Sequence, residues 1–274
     1  MQTSLDRNAL WMSSALTARV KATRVLVVGC GGTGNVVVAA LTQLGFGDLT
    51  LCDPDRLETS NLNRFVPASL KDVGRPKAEI LAEWARARGK TDVEAKVAAF
   101  PDASAEAMIA RADVVLSCLD VVHTRLQLDM LARSMGKPVL DLGVGFNVVA
   151  QGEGAADAGG QVLLSRADGP CLQCHGYNIL EQGGDYYVSN LRVPDASSFL
   201  LNSIVGSLGV ELLIEGLASD WRIPNQVCFS RRSMSITRAN VQRDPQCTVC
   251  GSAARLDFDQ VREYLHAESG RAVG

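Results

Sequence analysis

No uninterrupted apolar run among the 274 residues reaches the roughly 18 to 20 positions that a membrane-crossing helix needs. The first residues also lack the charged-then-apolar layout of a secretory signal, so the chain is expected to be cytoplasmic with no membrane partner. A basic stripe is missing too: 27 basic and 30 acidic residues are interspersed, for a formal charge of −3. Nothing is therefore available to hold a phosphate backbone through counterion release, and nucleic acid is not the default partner. There is no internal repeat and no low-complexity tract.

What is present is a 47% hydrophobic composition, enough for a large core with an extension. The eight cysteines are an even number, which in a short secreted chain suggests disulfides. Here four lie singly in apolar, strand-like surroundings and four form two pairs, and metal binding accounts for the pairs better. Leu5, Leu10, Trp11, Leu16 and Val20 recur at near-helical spacing, which predicts an amphipathic N-terminal helix or arm.

From Arg24 the pattern becomes alternating strand and helix. Strands are predicted at Val25–Val28, Leu49–Cys52, Val93–Ala98, Val114–Cys118 and Val139–Leu142, and helices near Asn35–Leu44, Ala78–Arg88, Ala105–Ala110 and Thr124–Met135. Short continuous apolar strands between helices imply a parallel sheet covered on both faces. Further on, Phe146–Ala150 and Gln161–Leu164 read as antiparallel strands and Phe199–Leu217 as a helix. Val227–Ile236 reads as one strand and Leu256–His266 as a final helix. Residues 176–197 hold Gly, Asn, Asp, Ser and Pro with little periodicity, the signature of a long crossing loop with a functional role.

Strand Val25–Val28 runs into Gly29-Cys30-Gly31-Gly32-Thr33-Gly34 and then a helix. In that setting backbone N–H groups can approach a phosphate, because no Cβ blocks the turn or the ligand. Asp53 ends the next strand, where a carboxylate can accept hydrogen bonds from ribose hydroxyls. Together these features indicate a nucleotide, though a dinucleotide dehydrogenase would show the same two.

The stretch that follows separates the possibilities. Asp53-Pro54-Asp55, Ser60-Asn61-Leu62-Asn63-Arg64, Arg75-Pro76-Lys77 and Cys118-Leu119-Asp120 resemble the motifs of the ThiF/MoeB/HesA adenylyltransferases, relatives of the ubiquitin-activating enzymes. The resemblance spans nearly the whole chain. It implies an α/β fold with a Rossmann-like, mainly parallel sheet and helices on both faces, extended by antiparallel strands and a zinc-tied C-terminal part. It also implies ATP and Mg²⁺ as cofactors and adenylation of a carboxylate. Gly29, Gly31, Gly32, Gly34, Asp53, Asp55 and Asn61 would bind the nucleotide, with Arg64 and Lys77 neutralising the triphosphate and Asp120 holding Mg²⁺. Arg7 resembles the arginine that the family's N-terminal arm lends to the partner subunit, which implies a homodimer. Taken singly, Arg64 and Lys77 read as solvated charges and Asp120 as a helix N-cap. Their joint occurrence at the family's spacing favours the functional reading.

Cys171-Leu172-Gln173-Cys174 and Cys247-Thr248-Val249-Cys250 are two Cys-x-x-Cys elements, and four thiolates are the usual tetrahedral set for structural Zn²⁺. His175 is then a spare, and His123 and His266 carry no motif. The expected organisation is an arm at 1–22, an ATP-binding adenylation domain at 23–170 and a zinc-tied segment at 171–274 within the same globular unit.

Some members of the family carry a reactive cysteine between the zinc pairs, but here the interval from His175 to Val227 contains none, and Arg192 falls near its place. Cys228, on a predicted strand among apolar neighbours, is a poor substitute. Phe65 and Val121 also depart from the usual Gln and Asn. The leading expectation is therefore adenylation of the C-terminal glycine of a ubiquitin-like protein, with pyrophosphate released and the acyl-adenylate passed to an outside nucleophile. A peptide or small carboxylate as substrate, or a non-catalytic ATP/zinc scaffold, are the alternatives, and a dehydrogenase comes last.

Overall fold

The structure is a computed structural model describing residues 7–88, 91–147, 157–177 and 198–251. After a short 3-10 turn at Asn8–Leu10, helix α1 (Ser14–Ala22) starts where the Ser13 hydroxyl accepts the N–H of Leu16 at 3.2 Å. Strand β1 (Arg24–Val28), helix α2 (Gly32–Leu44) and strand β2 (Asp48–Cys52) follow. Helix α3 (Lys77–Arg86), strand β3 (Asp92–Lys96), helix α4 (Ala105–Arg111), strand β4 (Val114–Ser117) and helix α5 (Val122–Ser134) continue the alternation. Strands β5 (Val139–Asn147) and β6 (Asp157–Ser165), helix α6 (Phe199–Ser219) and strands β7 (Gln226–Ser230) and β8 (Ser235–Ala239) complete the described elements.

All eight strands form one sheet in the order β3-β2-β1-β4-β5-β6-β7-β8. The first five are parallel, and β6, β7 and β8 are added antiparallel. Every residue of β4 and the last four of β1 are buried, as expected of central strands covered on both faces. One core packs α2, α3 and α6 against one face, and a second packs α4 and α5 against the other. Chain order reverses between β1 and β4, so the carboxyl ends of these two strands flank a crevice where open α/β sheets bind ligands.

The sequence-based elements differ from the structure at informative places. Helix α2 begins inside the glycine loop at Gly32, three residues before Asn35, because its first turn is fixed by tertiary hydrogen bonds of Thr33 to Asn202 and of Asn35 to Arg64 that helix propensity does not report. Phe146 belongs to β5, which is not interrupted after Leu142. The single strand read over Val227–Ile236 is a hairpin: Ser230 pairs with Ser235 across the polar turn Arg231–Met234. Helix α6 is 21 residues long and contains an 18-residue stretch of mean hydropathy 1.5, long and apolar enough to cross a membrane, but 61% of that 18-residue stretch is buried inside the fold as a core helix. The crossing loop beyond Tyr177, with Arg192, the C-terminal helix and Leu5 of the arm lie outside the described residues.

Candidate functional site

The carboxyl end of β1 turns into α2 through glycines that serve different purposes. Gly29 has φ +94°, and a Cβ there would meet the Cys118 carbonyl oxygen at 2.6 Å. A Cβ on Gly34 would lie 2.0 Å from the Gly29 oxygen, so both residues are required by the fold itself. At Gly32 the obstacles are side chains, the Asn202 amide nitrogen at 2.2 Å and Cδ of Arg64 at 3.2 Å. Gly31 alone of the four faces open space, with nothing within 4 Å of a Cβ. Gly31 is also the N-cap of α2 and carries no side-chain cap, so the free N–H groups of the first turn and the positive end of the helix dipole point toward that space. This is the chemistry of an anion cradle.

Asp53 holds the cradle in place. Its carboxylate is buried, with Oδ2 accepting the N–H of Cys30 at 2.5 Å and Oδ1 that of Asp55 at 2.7 Å. Burial raises its pKa, and those two hydrogen bonds oppose the rise. Lys77, at the start of α3, pairs with Asp55 at 2.7 Å, and its side chain is only 12% exposed, so it is not a freely solvated charge. Its field also reaches Asp53 and Cys30. Arg64 rises from the turn at Asn61–Phe65, with its stem over Gly32 and its guanidinium donating to the Ser60 carbonyl at 3.1 Å and Asn63 Oδ1 at 3.0 Å. The Asn61 side chain closes that turn by accepting the Glu58 N–H at 3.2 Å.

Two buried asparagines that the sequence reading passed over join these parts. Asn35 links the first turn of α2 to the backbone at Arg64 and Val66. Asn202 of α6 accepts from the Thr33 hydroxyl at 3.1 Å, across 169 residues of chain. Neither has a sequence signal beyond being a polar residue within a helical stretch.

The neighbouring strand supplies the other wall. The Cys118 N–H donates to the Val28 carbonyl at 2.8 Å, which fixes the β4–α5 turn beside the glycine loop. Burial pushes the Cys118 thiol up to about 12, so it stays protonated. Asp120 is exposed on this turn and does not cap α5, whose N-cap is Val121 without a side-chain cap. Behind the turn, buried Arg125 pairs with Asp141 at 2.8 Å, and the Tyr177 hydroxyl donates to the same carboxylate at 3.0 Å.

Arg7 is not brought to the loop. It belongs to the exposed turn whose next residue, Asn8, donates to the Gln43 carbonyl near the far end of α2. That 13-residue helix places the glycine loop about 20 Å away.

A separate cluster forms behind α5. Cys171, Cys174, Cys247 and Cys250 place their sulfurs within 4.8 Å of one another, with no disulfide among them. The separations are 3.8 Å for Cys171–Cys174, 3.6 Å for Cys171–Cys247 and 3.4 Å for Cys174–Cys250. A tetrahedral ion with sulfur ligands at about 2.3 Å requires sulfur–sulfur edges of about 3.8 Å, so the cluster fits one. The backbone N–H of Asp244 donates to Cys174 Sγ at 3.5 Å, and Gln173 and Thr248 hydrogen-bond across the two knuckles.

Comparison with known proteins agrees with this arrangement. The chain is 30% identical over 261 residues to the SAMP-activating enzyme E1 of Haloferax volcanii, covering 92% of this chain and 87% of that one. It is 28% identical over 236 residues to the molybdopterin-synthase adenylyltransferase of Escherichia coli, covering 85% and 88%. Among solved structures, E. coli MccB in complex with MccA-N7isoASN shares the fold, with a TM-score of 0.72 at 22% identity over 91% of this chain and 75% of that one. The model of the ThiF family matches residues 5–249, and the chain belongs to that family.

Proposed function

We propose that this adenylyltransferase activates the C-terminal glycine of a ubiquitin-like protein, using MgATP and releasing pyrophosphate. The observation that supports this reading is the open anion cradle at Gly31, with the Arg64 stem over the adjacent Gly32, Lys77 held by Asp55 next to the buried Asp53, and Asp120 on the turn that follows β4. The substrate class is supported by relatives named for activating SAMP, a sulfur carrier protein and molybdopterin synthase.

The carboxylate is already an anion at neutral pH, so the reaction needs alignment and charge neutralisation rather than a general base. Its oxygen attacks the α-phosphorus while the bond to the β-phosphate bridging oxygen breaks. The N–H groups at the start of α2 bind phosphate oxygens with the other loop glycines shaping the turn, and Arg64, Lys77 and Asn61 orient the departing pyrophosphate. Asp53 keeps one lone pair on each oxygen for ribose hydroxyls, and Asp55 fixes the Lys77 ammonium. Asp120 would supply a hard carboxylate oxygen to Mg²⁺, whose charge would help neutralise the phosphates. The four cysteines would hold a structural Zn²⁺. Arg7, held away from its own loop, would serve the second subunit of a cytoplasmic homodimer.

The acyl-adenylate then passes to an outside nucleophile. Cys228 sits half-buried on β7, where burial raises its pKa and lowers its thiolate fraction. ATP–pyrophosphate exchange tests the reading, with a Gly-Gly-terminated ubiquitin-fold protein as substrate and Asp120→Ala as the control. The variant is expected to lose at least about 10³-fold in exchange, corresponding to about 4 kcal/mol. Exchange unaffected by Asp120→Ala would sink the assignment, and partner binding without any exchange would favour the scaffold reading.

A further inference from the structure

We propose that Asn35 is a positioning residue for adenylation, holding Arg64 in register with the phosphate cradle while touching no reacting atom itself. The inference rests on the adenylation reading above. Asn35 is 1% exposed, and its amide is occupied entirely by backbone groups of two separate segments. The two hydrogens of Nδ2 are shared among the carbonyls of Gly31 at 2.8 Å, Gly32 at 2.7 Å and Arg64 at 2.9 Å. Oδ1 accepts the N–H of Val66 at 3.3 Å. One side chain thus splices the turn that opens α2 to the turn that carries Arg64, 29 residues further on.

Asparagine is a poor helix former, and an alanine at the same position would serve the helix better. The advantage of the amide lies in the splice. Among the described residues the Arg64 guanidinium donates to Ser60 and Asn63, both in its own turn, so its direction is set by how that turn sits on α2. Buried Phe65 anchors the turn by packing, which fixes depth but not register, and the directional bonds to Asn35 supply the register. Catalysis by alignment is sensitive to this, because a displacement of about 1 Å at a positioned charge costs about 100-fold in rate.

The test is a double-mutant cycle on the full chain. Asn35→Ser, Arg64→Ala and the double variant are compared with the native protein in ATP–pyrophosphate exchange. Asn35→Ser is expected to lower kcat about 10- to 100-fold with KM for ATP changed less than about 3-fold. In the Arg64→Ala background it should cost less than about 2-fold more. Equal losses in both backgrounds, or a loss confined to KM, would overturn the proposal. Absence of exchange by the native chain speaks instead against the adenylation reading. In that event the positioning role, which is a role in adenylation, falls with it. Should Asn35→Ser fail to fold, Asn35→Asp replaces it, keeping the acceptor for Val66 and removing the N–H donors. Failure of both to fold would make Asn35 a folding residue and overturn the positioning role.

Discussion

The glycine loop and the four-cysteine cluster are held by opposite means. The loop is contiguous in sequence, lies at the ends of two strands buried along nearly their whole length, and is fixed by hydrogen bonds that Asp53 and Asn202 accept and Asn35 donates. The cluster brings together residues 76 apart in the chain, on short knuckles with no strand or helix of their own, and direct contact between the knuckles includes the single amide–hydroxyl pair of Gln173 and Thr248. The loop's geometry therefore follows from the fold. The cluster's geometry is that of four sulfurs able to share one ion, and binding such an ion would be part of folding the segment.

Metal removal should show the largest difference. With a strong chelator at neutral pH, the melting temperature is expected to fall by about 10 °C or more. In hydrogen exchange, amides at 171–176 and 244–251 should lose protection while those of β1 and β4 keep theirs. Equal loss in both sets would mean that the two regions are one cooperative unit and that the contrast between them is false.

The cysteine knuckle is joined to the α/β part of the fold at Asp129 on α5, and this joint gives the next largest effect. Its carboxylate is fully buried and accepts the N–H of Leu172 at 2.9 Å, with burial raising its pKa to about 6. A carboxylate with a raised folded-state pKa favours folding in its protonated form, so stability is fully present below the unfolded value near 3.8 and is lost as pH rises through about 6. The full loss above pH 6 is about 3 kcal/mol. Asp129→Asn keeps an acceptor for Leu172 without the charge. It should be more stable than the native chain at pH 7.5 by an amount of that order, with the gap closing toward pH 4.5 in denaturant titrations. A gap independent of pH would place the cost in packing rather than in ionisation.

How much of this was legible in the sequence follows the same division. The parallel half announced itself through local patterns: apolar strands, a glycine loop and an acid at the next strand end are all close in sequence. The cysteine pairs were legible because their spacing is a ligand signature, although no local signal says that 171 and 247 meet. What stayed hidden depends on long-range contact. Asn35 and Asn202 look like ordinary helix residues until Arg64 and Thr33 are brought to them. The β7–β8 hairpin was read as one strand because β8 is an exposed edge, where the alternation that marks a half-buried strand has no core to answer to. Asp53 was recognisable as the acid of a nucleotide site, but nothing local indicated that it also clamps Cys30 and Asp55.

The smallest expected effect on stability separates fold from function within the loop itself. Gly31 has φ −77° with ψ −145°, just past the extended region that side chains favour, and no atom within 4 Å of where a Cβ would sit. Gly31→Ala should therefore cost stability about 1 kcal/mol, through the backbone angle alone. The added methyl nevertheless projects into the space where the helix N–H groups must meet a phosphate, so KM for ATP should rise at least about 10-fold. Thermal melts and exchange kinetics on the same sample check both halves. A more strongly destabilised Gly31→Ala with unchanged KM would show that this glycine serves the turn, and the open face of the cradle would then have to lie elsewhere along the start of α2.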